Sequence, residues 1–98
     1  MDKDLEYIEL FELYKELLTE KQRELFASHY LFDLSLSEIA EQEGGSRQSV
    51  YDAVKKVKKK LLNYEQSLKI RAKSSKLSDL AKTLDGDTAK RIMEIIED

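Results

Sequence analysis

Ninety-eight residues with 38% charged and 41% apolar side chains, three Gly and no Pro, Cys or Trp fit one domain of strongly periodic helices. The absence of Cys excludes disulfide frameworks, thiol nucleophiles and the usual structural zinc sites, the single His argues against a His-based metal centre, and scarce turn residues argue against a many-stranded sheet. The net charge of −3 is an average over unlike parts: residues 1–45 carry −8, residues 46–76 carry +8 and residues 77–98 carry −3. No apolar run approaches the ~18 residues of a membrane span, and no signal-peptide core follows the acidic start at Asp2 and Asp4. A soluble, cytoplasmic, all-α protein with a positive stripe for an anionic partner is the expectation.

In chain order, Leu5, Ile8, Phe11, Tyr14, Leu17 and Leu18 recur at helical spacing and predict an amphipathic first helix, with Glu9, Glu12, Glu16 and Glu20 as an acidic ridge on another side. Thr19 and Gln22 form a capping-box pattern that starts a second helix, which turns Leu25, Phe26, His29 and Tyr30 toward the core. Among aromatics, His29 reads as a packed or half-exposed core side chain. Phe32-Asp33-Leu34 is a connector, and Ser35 with Glu38 repeats the capping box for a short helix to about Glu43. Gly44-Gly45 breaks that helix and Ser46 caps the next, which meets no breaker until Ser74-Ser75.

The fourth helix carries a seam of Val50, Val54, Val57, Leu61, Tyr64 and Leu68 at alternating four- and three-residue steps. Two uses fit it: packing on helices of the same chain, or pairing of the part from Leu61 onward with another subunit. In the tail, Leu77, Leu80, Ala81 and Leu84 make one stripe, and Ile92, Met93, Ile95 and Ile96 make another beyond an Asp85-Gly86-Asp87 turn in which Asp87 is the expected cap. The predicted layout is a single helical domain over 1–98, a helix-turn-helix at about 35–60, and a helical extension over 61–98 that serves as the dimerisation region.

The stretch SLSEIAEQEGGSRQSVYDAV has the anatomy of a helix-turn-helix: a short capped helix, a Gly turn and a second capped helix. Ala40 permits close crossing, Gly44 can take the left-handed conformation, and Ile39 and Val50 close the small core. The second helix then presents Arg47, Gln48, Tyr51, Asp52 and Lys55 from its N-terminal half, the part that reaches base edges in a major groove. Arg suits guanine and Gln suits adenine as bidentate partners. Ser46 and the free amides at the helix start can hold a phosphate, while Lys55, Lys56, Lys58, Lys59 and Lys60 continue the helix as phosphate-directed charge. A helix-turn-helix usually plugs its turn with two apolar side chains two positions apart. Here Glu43 and Gly45 stand there. No Gly-rich phosphate loop, partnered nucleophile or metal-spaced ligand cluster points to catalysis, so neither enzyme activity nor a cofactor or metal is expected.

The run LSLSEIAEQEGGSRQSVYDAVKKVKKKL, and SRQSVYD in particular, is similar to the helix-turn-helix of the YlxM-like proteins, small bacterial proteins grouped with region 4 of sigma-70 factors in the winged-helix-like DNA-binding superfamily. The earlier run LFELYKELLTEKQRELFASHYLFDLSLSEIA resembles that family's tyrosine-rich opening, so the resemblance covers about residues 5–68. It implies an all-helical homodimer encoded near signal recognition particle GTPase genes. The implied role is a DNA-binding regulator that controls or takes part in that pathway, or alternatively an accessory factor that binds the particle's RNA or its GTPase without sequence-specific DNA binding. The chain departs from the family at Glu43 and Gly45, where a larger apolar or aromatic residue and then Val or Ile are usual, and its tail after about residue 70 matches less well.

Overall fold

Reciprocal capping sets where the first helices begin. In the computed structural model, which describes residues 3–97, Thr19 Oγ1 accepts from the Gln22 amide at 3.1 Å while the Gln22 side chain accepts from the Thr19 amide at 3.1 Å. Ser35 and Glu38 repeat the exchange at 3.0 Å in both directions, and the amide Glu38 accepts from holds its carboxyl below the usual range. Ser46 exchanges with Ser49 in the same way. Among the described residues the elements are α1 (Lys3–Tyr14), a 3-10 turn (Lys15–Leu17), α2 (Glu20–Tyr30), α3 (Leu36–Glu43), α4 (Arg47–Leu68), α5 (Ile70–Ala81) and α6 (Gly86–Glu97), with no strand.

The first helix is shorter than its apolar stripe. The 3-10 turn exposes Leu17 and buries Leu18, and Glu20 opens α2 instead of extending a ridge on α1. The main core lies between α1, α2 and α4, built from Leu10, Phe11, Tyr14, Leu18, Phe26, Val57 and Leu61. Its centre is a stack of three rings, with Phe11 on Phe26 and Phe26 on Tyr30, each at a centroid distance of 4.5 Å. A smaller cluster of Ile39, Ala40, Val50 and Val54 closes the helix-turn-helix, and Tyr30 packs against both clusters.

The seam of α4 is thus largely consumed inside the chain. Val50 and Val54 serve the small cluster, Val57 and Leu61 the main one, and the half-buried Tyr64 donates its hydroxyl to the Leu17 carbonyl at 3.2 Å. Only Leu68, at its end, is exposed.

α4 ends at Leu68, six residues before the Ser74-Ser75 break that the sequence predicts, and α5 runs straight through those serines. The cause is tertiary. Lys69 adopts the left-handed conformation (φ 57°), and Glu65 reaches over it to accept the Arg71 amide at 2.9 Å and the Ala72 amide at 3.0 Å. Glu65 therefore does for α5 what an N-cap does, from outside the helix. The buried Tyr14 hydroxyl completes the joint by donating to Glu65 at 2.6 Å and accepting from the Ile70 amide at 3.1 Å. Burial works to raise the Glu65 pKa, but the Tyr14 hydroxyl and the two amides outweigh it and hold the carboxyl below the ordinary range. Arg71 Nε binds Glu9 of α1 at 2.6 Å outside this joint.

At the next turn the cap is Asp85 and not Asp87. Asp85 Oδ1 accepts from the Thr88 amide at 3.0 Å, whereas Asp87 lies inside the first turn of α6, where its charge faces the positive helix end. α6 packs chiefly on α5, making a helical arm. The radius of gyration is 16.8 Å with extents of 55 × 26 × 25 Å, against roughly 13 Å for a globular chain of this length.

Candidate nucleic-acid interface

Two conformational details shape the turn that aims α4. Gly44 sits at φ 78°, closing α3 in the left-handed region that a side chain resists. At Gly45 a Cβ would lie 3.0 Å from Ser49 Oγ, which is already engaged with the amide and carbonyl of Ser46. With no side chain at Gly45 and a charge at Glu43, a depression of about 280 Å³ remains beside the turn, lined by Leu25, Ile39, Val50 and Ala53.

Helical spacing turns Gln48, Tyr51, Asp52, Lys55 and Lys59 away from the Val50–Val54–Val57–Leu61 stripe, and all five are exposed. Arg47 is exposed in the first turn beside the Ser46 cap, and Lys56 lies on the solvent side of the same helix. Gln48 Nε2 donates to Asp52 Oδ1 at 3.0 Å, which fixes both side chains one turn apart. None of the ion pairs among the described residues involves Arg47, Lys55, Lys56 or Lys59.

The other lysines are differently placed. Lys58 is half-buried, with its ammonium 4.5 Å from the Tyr7 ring centroid and 5.7 Å from that of Tyr30. Burial works against its charge, yet the Tyr30 hydroxyl, with Tyr7 and Asp4 adding to it, raises its pKa above the ordinary lysine value. Lys60 Nζ reaches the Gln22 side chain at 3.4 Å. Three of the four ridge carboxylates are paired within the chain: Glu9 with Arg71, Glu12 with Lys15 at 3.3 Å, and Glu16 with Arg23 at 3.9 Å. His29 is half-buried, its Nδ1 is 2.8 Å from the Leu34 carbonyl oxygen, and its ring meets Tyr30 edge-on.

Sequence reasoning did not bring Tyr7, His29 and Tyr30 to the flank of α4. There they wall a groove of about 450 Å³ together with Tyr51 and Lys58. These residues come from three helices, and the only local signal was the concentration of tyrosines itself.

A family model described as "Putative helix-turn-helix protein, YlxM / p13 like" matches residues 1–98, the tail included. The chain belongs to this family, UPF0122. It is 45% identical over 84 residues to a UPF0122 protein of Halalkalibacterium halodurans, covering 86% of this chain and 77% of that one. A UPF0122 protein of Clostridium botulinum is 47% identical over 76% of this chain and 68% of its own, and one of Mycoplasma capricolum is 44% identical over 82% and 71%. The fold is the helix-turn-helix of that family, and no helix among the described residues is long and apolar enough to cross a membrane.

Proposed function

We propose that this UPF0122 protein is a DNA-binding regulator that lays the N-terminal half of α4 in a major groove. The single observation that supports this most is the exposed face of α4. Arg47, Gln48, Tyr51 and Asp52 are turned outward at the capped end of a helix-turn-helix, and Lys55, Lys56 and Lys59 follow, none of them in an ion pair among the described residues. Arg47 and Gln48 read base edges, with the Gln48–Asp52 bond restricting which way the amide points. Ser46 and the lysines fix register on phosphates. Of the expected basic residues, Lys58 and Lys60 take the smaller part, since each is engaged with the body of the protein.

A role in or over the signal recognition particle pathway rests on the family resemblance alone. The alternative is an accessory factor that meets the particle's RNA through the basic helix or a basic protein through the acidic first helix; its second branch loses support, because Glu9, Glu12 and Glu16 are paired within the chain. Of the extension over 61–98, the part assigned to dimerisation is the arm of α5 and α6: the seam of α4 is occupied by its own chain, whereas the arm and its turn leave Leu77, Leu80, Leu84 and Ile95 uncovered, Ile95 at 77% exposure. Two copies joined there would set two α4 helices at a fixed spacing for paired half-sites. Selection of bound fragments from random duplex DNA tests the reading. Convergence on a two-half-site motif supports it, and recovery of unrelated fragments at low salt with none at high salt contradicts it.

A further inference from the structure

The groove on the flank of α4 differs from a generic apolar cleft in what it concentrates. Tyr7 of α1, Tyr30 of α2 and Tyr51 of α4 share it with Lys55, Lys58 and Lys59, and its volume of about 450 Å³ lies in the range of small-ligand sites. Lys58 is held against two rings, so its ammonium is a fixed charge in the wall and does not swing freely in solvent. Tyr51 is 46% exposed and has no ring partner among the described residues, which leaves an aromatic surface at a positive rim. At the far end Leu62, 42% exposed, extends the apolar floor. From Tyr51 to Leu62 the helix advances ~16 Å, longer than a single nucleotide.

Aromatic surfaces for bases combined with cations for the backbone are the chemistry of single-stranded nucleic-acid binding. A base inside a duplex stack has no free face to offer such a surface, whereas an unpaired base does. An apolar peptide would offer no counter-charge to Lys55 and Lys59, which enter none of the ion pairs among the described residues.

We propose that the groove between α1, α2 and α4 binds an unpaired nucleotide segment, with a base stacked on Tyr51 and its phosphates held by Lys55, Lys58 and Lys59. The site shares Tyr51, Lys55 and Lys59 with the duplex-reading surface and so rests in part on the reading that α4 meets nucleic acid. It adds a preference for strands with an unpaired stretch beside the duplex-contacting end.

The chain has five Tyr and no Trp, so tyrosine fluorescence reports directly on stacking. Full-length protein is titrated with single strands of about ten nucleotides, one of deoxythymidine and one of uridine, with an abasic strand of equal length, and with a blunt duplex. Either base-bearing strand should quench tyrosine fluorescence and bind roughly tenfold or more tighter than the abasic strand. Tyr51→Ala and Leu62→Glu should each weaken that binding by about tenfold with helicity by circular dichroism unchanged, and Tyr51→Phe should restore it. Equal affinity for the abasic strand, equally good competition by polyglutamate, or a folded Tyr51→Ala protein with undiminished single-strand binding would each overturn the proposal. Duplex binding that persists through such a result leaves the reading of α4 standing. Single-strand binding without duplex binding has the opposite meaning: the groove stands and the duplex reading falls.

Discussion

Removing one hydroxyl should loosen the joint between the body and the arm. Tyr14 is almost fully buried, and its hydroxyl makes two hydrogen bonds, donating to Glu65 at 2.6 Å and accepting from the Ile70 amide at 3.1 Å. Tyr14→Phe leaves the Ile70 N–H without an acceptor and takes a strong donor from a carboxylate. Unsatisfied groups of this kind cost about 1–3 kcal/mol each, and partial solvent access at Glu65 brings the expected loss to ~2 kcal/mol. For a chain of this size that is a fall in Tm of roughly 8–16 °C. Glu65→Gln, which keeps one acceptor oxygen but sets an NH₂ group toward a backbone donor, should cost ~1–2 kcal/mol. Because both substitutions weaken the same bond, the loss in the double variant should be about 1 kcal/mol smaller than the sum of the two single losses. Urea unfolding of the four proteins measures the cycle, with hydrogen exchange over residues 70–81 as the local readout. A Tyr14→Phe protein within ~0.3 kcal/mol of the parent, or strict additivity, would refute the view that this joint orders the arm.

The same joint gives stability a pH dependence. The Glu65 carboxyl titrates lower in the folded chain than its unfolded value of about 4.3, so its contribution is complete above that value and disappears as the pH falls through the folded one. Acid titration of stability should show a smaller decline for Tyr14→Phe than for the parent. Gly44→Ala should lose about 1–2 kcal/mol because a Cβ resists the left-handed conformation, and Lys69→Gly should gain about 0.5–1 kcal/mol for the converse reason; thermal unfolding reads both. Ser46→Ala removes the acceptor for the Ser49 amide and should cost ~1 kcal/mol, with amide exchange rising first at residues 47–49.

Local chemistry was legible in the sequence. Thr19 with Gln22, Ser35 with Glu38, Gly44 and Ser46 occupy the helix ends that their side chains favour, because capping acts within four residues. Apart from the choice of cap at Asp85, the errors have the opposite cause. Nothing near Lys69 announces a break, since no Gly or Pro stands there. The helix stops because Glu65 and Tyr14, 51 positions apart, trap the next amides. Asp85 and Asp87 are equally good caps by type, and only the position of Thr88 separates them. Lys58 looks like its neighbours in a lysine run, but α1 and α2 bring two tyrosines onto it. The same assembly from three helices makes the tyrosine groove invisible to any pattern of spacing. The outward set Gln48, Tyr51, Asp52, Lys55 and Lys59 was legible because the apolar stripe of the same helix fixes where its other side points.

The salt dependence of duplex binding tests the central claim most directly. If Arg47, Lys55, Lys56 and Lys59 each neutralise one phosphate, log K against log salt should have a slope of roughly −3.6. Lys55→Ala, Lys56→Ala and Lys59→Ala should each reduce its magnitude by about 0.9, while Lys60→Ala leaves it unchanged. A folded protein that binds duplex with no salt slope, or whose slope responds to Lys60 and not to Lys55 or Lys59, would contradict the assignment of this helix face to nucleic acid.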